Sequence, residues 1–72
     1  MSKLRDMLYT SAIADKAKAL LSLELLEKNP AGIGDHSTED FYKNAEEALA
    51  MLAEADERLE TIEKYLDQKE DI

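Results

Sequence analysis

Both glycines and the only proline of this 72-residue chain fall in one stretch, Asn29-Pro30-Ala31-Gly32-Ile33-Gly34-Asp35-His36. Proline lacks a backbone N–H and glycine gives up most conformational freedom on entering a helix, so this cluster is the one strong helix breaker. Ala, Leu, Glu and Lys, all good helix formers, dominate the remainder. The sequence therefore predicts a single all-α domain over residues 1–72, with one helix over 3–28, a loop over 29–37 and a second helix over 38–68. A short loop between helices of similar length favours an antiparallel two-helix hairpin with coiled-coil-like packing.

Local signals agree with these bounds. Ser2 is suited to cap the first helix, and Asn29 followed by Pro30 suits its end. Ser37 or Thr38 can cap the second helix, whose first turn carries Glu39 and Asp40 at the positive end of the helix dipole. In the loop, Gly32 and Gly34 allow tight turns, Ile33 can plug the end of the bundle, and Asp35 or His36 can take the capping role in place of Ser37. We read Pro30, Gly32, Gly34, Asp35, His36 and Ser37 as structural. Glycines before a helix N-terminus can also cradle an anion, but a Walker loop needs Gly-Lys-Ser/Thr and has no lysine here.

The second helix carries an unbroken apolar seam: Phe41, Ala45, Ala48, Leu52, Ala55, Leu59, Ile62 and Leu66. Alternating steps of four and three are the heptad spacing of a left-handed coiled coil. Leu8, Leu23 and Leu26, with Ala12 and Ala19 on the same side, are the matching candidates in the first helix; together these residues form the expected hairpin core. Outside the seam, Glu39–Lys43, Glu54–Arg58 and Glu60–Lys64 stand four apart in the favourable order.

The first helix has a second stripe, Met7, Ala14, Leu21 and Leu25, nearly opposite the first. One partner helix covers only one side of a helix. The second stripe therefore predicts an oligomer interface, most simply a homodimer closing into a four-helix bundle with the two first helices packed on each other at its centre. Size points the same way: so short a chain buries little surface, and with no cysteine it has no disulfide or thiolate metal site to add stability.

Charge narrows the partners. The net charge of −8 lies entirely in residues 37–72, and residues 1–36 are neutral. An acidic face repels phosphate backbones and anionic lipids, so neither nucleic acid nor membrane is an expected partner. Another protein with a basic or apolar surface is. The longest apolar run, residues 19–26, contains Glu24 and falls far below the roughly 20 residues that span a bilayer. Arg5 and Asp6 precede any apolar run, unlike a secretory signal, so a cytoplasmic setting is expected.

No constellation points to chemistry. Glu24/Glu27, Glu54/Glu57 and Glu60/Glu63 each place two acids on one helical face. All-helical nucleotide pyrophosphohydrolases hold magnesium with related motifs, but their fuller acidic motif is missing here, leaving a metal-dependent hydrolase as a remote alternative. The only histidine, His36, lies in the loop, where neither a Glu-x-x-His iron site nor a catalytic triad is formed. Expected catalytic, cofactor and metal residues are none.

The segment Asn29 to Ser37, followed by an acidic helix containing Glu47-Ala48-Leu49 and Ala55-Asp56-Glu57-Arg58-Leu59-Glu60, resembles small uncharacterised proteins encoded by T4-like phages of marine cyanobacteria. The similarity covers residues 12 to 66 and rests on the Pro-x-Gly-Ile-Gly-Asp-His loop and the acidic heptads. It implies a phage accessory protein made in the host cytoplasm and brings no activity with it. The expected function is a non-enzymatic protein that self-associates and binds another protein; the alternative is a structural or assembly component of a phage particle.

Overall fold

The computed structural model describes residues 2–28 and 38–67. It is all-helical: α1 spans Lys3–Lys28 and α2 spans Thr38–Tyr65, and the two pack against each other as an antiparallel hairpin. Among the described residues there is no strand. The rod measures 58 × 16 × 15 Å. The six loop residues read as structural, Pro30, Gly32, Gly34, Asp35, His36 and Ser37, lie outside the described residues.

Helix ends follow from local chemistry. The Arg5 N–H donates to the Ser2 hydroxyl at 2.9 Å and the Asp6 N–H to the Ser2 carbonyl at 3.1 Å. The first bond satisfies an amide that has no partner inside the helix, and the second is the helix's first i→i−4 bond. At the other end, α2 closes at Tyr65 rather than at the expected residue 68. The Ile62 carbonyl accepts from both Leu66 N (2.8 Å) and Asp67 N (3.0 Å). That shared acceptor turns the chain out of the helix and sends Asp67 back across to α1.

Among the described residues, Ala12, Ala19, Ala48, Ala55 and Ile62 are the buried apolar ones, and Ala12, Ala19 and Ala55 are fully enclosed. They recur every seventh residue on each helix, which is one row of a heptad seam. Alanine leaves nothing beyond Cβ to hold the helices apart, so the backbones close on each other along this row. The flanking rows are only partly covered. Leu23, Ala45, Leu52 and Leu59 in those rows are half-buried, and so are Leu26 and Phe41, which end the alanine row itself. Leu8 and Leu66, expected in the core, are instead 38% and 49% exposed. A pair of helices encloses the residues directly between them, and a residue one step aside needs a third helix to complete its cover.

Three cross-helix ion pairs define the register. Arg5 reaches Asp67 at 2.7 Å, Lys16 reaches Asp56 at 3.0 Å, and Arg58 reaches Asp15 at 2.5 Å. In each the two residue numbers sum to 72 or 73, so the helices run antiparallel without slippage. Arg58 therefore crosses to α1 instead of pairing with Glu54 as its spacing suggested, because its position beside the seam points the guanidinium at Asp15. Lys64 lies over the Tyr65 ring, 5.5 Å from its centroid, instead of pairing with Glu60. Within α1, Glu24 and Lys28 form an i,i+4 pair at 3.0 Å.

The enclosed alanines yield a direct test. Ala55→Leu adds three carbons where the helices are closest and should lower stability by about 1–3 kcal/mol. Ala53→Leu, on the exposed side of the same turn, should change it by less than about 0.5 kcal/mol. Thermal melts followed by circular dichroism measure both; equal effects would mean the helices are not in close contact at Ala55.

Candidate interaction surface

The two flanks of the seam differ. On one, Leu8 and Ser11 of α1 face Arg58, Thr61 and Tyr65 of α2 around a groove of about 560 Å³. Further along the same flank, Ser22 and Leu25 face Asn44, Glu47 and Met51 around a second groove of about 370 Å³. Among the α2 residues lining the two grooves, Asn44, Glu47, Met51, Glu54, Arg58, Thr61 and Tyr65 step by three and four, with Glu57 beside them. The two grooves are therefore one furrow along the rod, divided by the Asp15–Arg58 bridge. Steps of three and four place these residues along one face of α2.

The oligomer-interface candidates border this furrow. Met7 is 56% exposed, Leu21 55% and Leu25 53%, and Ala14 is exposed as well. With Leu4, which is 62% exposed, they form two adjacent rows on α1: Met7, Ala14, Leu21, Lys28 and Leu4, Ser11, Lys18, Leu25. Neither row contains an acidic residue; their charges are Lys18 and Lys28. Spacing along the sequence identifies this stripe but not the furrow beside it. The furrow's α2 wall is mostly polar in composition, and a search for apolar runs passes over it.

Electrostatics divide the molecule unevenly. Within the observed bounds α1 carries five basic and four acidic residues, and α2 three basic and nine acidic. At the open end, Arg5 is gripped by Asp67 through Nε and one terminal nitrogen, both at 2.7 Å, touches Asp6 at 3.2 Å, and stacks on Tyr9 at 4.3 Å from the ring centroid. The hydrogen bonds from Arg5 to Asp67 raise the Arg5 pKa above its ordinary value, against the opposing effect of burial. In the middle, Arg58 Nε is enclosed without a hydrogen-bond acceptor while its outer nitrogen holds Asp15. Thr61 turns its hydroxyl inward to the Glu57 carbonyl at 2.9 Å.

Among the described residues no group of three or more His, Cys, Asp or Glu side chains is placed to hold a metal ion. Glu24, Glu27, Glu54, Glu57, Glu60 and Glu63 are all exposed, Glu54 and Glu57 along the furrow. Among the described residues, no helix is long and apolar enough to cross a membrane. No protein-family model, curated protein or solved structure matches the chain.

The central bridge should stabilise the hairpin only modestly, since both partners remain more than a third exposed. A double-mutant cycle on Asp15→Ala and Arg58→Ala should give a coupling energy below about 1 kcal/mol that shrinks as salt is added. A much larger, salt-insensitive coupling would place this pair in a drier environment than the furrow provides.

Proposed function

We propose that this chain is a non-enzymatic interaction protein, a helical hairpin that self-associates through the exposed stripe of α1 and presents its acidic helix to another protein. The observation that carries the reading is Met7, Leu21 and Leu25, each more than half exposed along one side of a helix whose other side already packs on α2. Apolar residues are spread around α1, whereas α2 gathers its own toward one face. The side chains fully enclosed among the described residues are alanines, so a lone hairpin gains little from burial. Covering the stripe would supply what the hairpin lacks.

In this reading the outer face of α2, rich in glutamate, meets a foreign protein with a basic surface, where complementary charge speeds encounter and selects the partner. The same acidity disfavours nucleic acid and anionic membranes. The resemblance of the loop and acidic heptads to proteins of marine cyanophages supports an accessory protein working in the cytoplasm of an infected bacterium.

Sedimentation equilibrium should give a mass near twice 8.1 kDa at micromolar concentration. Leu21→Glu combined with Leu25→Glu should yield monomer, or unfolded chain if folding and association are coupled. A wild-type chain that remains a folded monomer at several hundred micromolar would end this reading.

A further inference from the structure

Resting on the self-association proposed above, we infer that the α1 stripe docks on the furrow wall of α2 in a second copy, and not on the second copy's α1. Two hairpins can stack furrow to furrow about a two-fold axis in two ways. An axis across the rod lays α1 on α1 and α2 on α2. An axis along the rod lays each α1 on the other copy's α2 and sends the two α2 helices to the diagonal. In both, neighbouring helices run antiparallel, so charge and register decide between them.

The charges favour the second arrangement. Each α1 carries one more basic than acidic residue, and each α2 six more acidic than basic. The crosswise axis presses two strongly acidic helices together. The lengthwise axis pairs each with a near-neutral helix whose exposed stripe bears lysine only. The α2 wall of the furrow offers Glu47 and Glu54 to that stripe. Among the described residues neither Lys18 nor Glu54 belongs to an ion pair.

Register makes the pairing specific. Within one hairpin, opposed residue numbers sum to 72 or 73. A two-fold axis along the rod preserves axial level, so the same rule relates α1 of one copy to α2 of the other. Lys18 then stands level with Glu54 of the second copy, and Leu21 level with Met51, which is 39% exposed. Cation thus meets carboxylate with no slippage at Lys18, while Leu21 shares only its axial level with Met51 and Leu25 stands level with Glu47. A face roughly 40 Å long and two helices wide also has the dimensions of a standard interface, about 800 Å² per partner. The opposite flank lacks this match. Its exposed Ile13, Leu20 and Leu49 share seven-residue rows with Asp6, Glu27, Asp56 and Glu63, so stacking there brings acid onto acid.

Charge reversal on the full chain tests the assignment. Lys18→Glu alone and Glu54→Lys alone should each raise the dimer dissociation constant about tenfold at low salt, because two symmetry-related attractions become repulsions. The double variant should return to within about threefold of wild type. Both side chains are exposed and outside the ion pairs of the hairpin, so neither reversal removes a contact within one copy. In the wild-type dimer, carbodiimide coupling should give covalent dimers linked between Lys18 and Glu54. A dimer lost on Leu21→Glu but indifferent to both reversals, with no such cross-link, would overturn this inference and leave self-association through α1 standing. A dimer lost on Leu49→Glu and not on Leu21→Glu would move the interface to the opposite flank and overturn both. A chain that never dimerises overturns the parent reading itself.

Discussion

Everything in this hairpin depends on a single row of small side chains meeting across the helix pair. Ala12, Ala19, Ala48 and Ala55 let the helices close together. That contact is tight but contributes little apolar area, because alanine has little to bury. Larger residues one step to either side are left half-covered or open. The row that makes the hairpin possible therefore also leaves it short of stabilisation, and the leftover surface has the same cause.

Closeness alone does not choose a register, since a row of alanines can slide by one heptad at small cost. The ion pairs between the helices remove that freedom. Arg5 with Asp67 holds the open end, and Arg58 with Asp15 and Lys16 with Asp56 hold the middle from the two flanks. The two middle pairs are exposed enough to add only modest stability. Their value is specificity: a slip of seven residues would break all of them together. The two middle pairs sit on opposite sides of the alanine row, so the hairpin is also kept from rolling.

The division of charge gives the rod two unlike sides. Near-neutral α1 carries the exposed stripe, and acidic α2 carries most of the net charge. Apolar association and charge-guided association can therefore use different surfaces of one small molecule. The furrow is where the two meet, with apolar residues of α1 facing glutamates and a methionine of α2.

Much of this was legible from residue order alone. The breaker cluster implied two helices, Ser2 marked the start of the first, and the three-and-four spacing of Phe41 to Leu66 identified the side of α2 that meets its neighbour. Helix propensity, capping and periodicity are local properties, and a sequence displays them directly. Tertiary structure alone decided which seam residues become enclosed. Leu8 and Leu66 lie on the expected stripe yet stay exposed, because burial depends on which row the opposing backbone approaches, and the alanines claimed that row. It alone sent Arg58 to Asp15 rather than to Glu54, since a long side chain beside a seam takes its partner from whichever helix lies nearer. The furrow likewise exists only between two helices, built from residues far apart in the chain and too polar in composition to stand out in either one. Periodicity determined that two helices would pair; the depth, register and flanks of that pairing came from the contact itself, where distant residues compete for the same few ångströms.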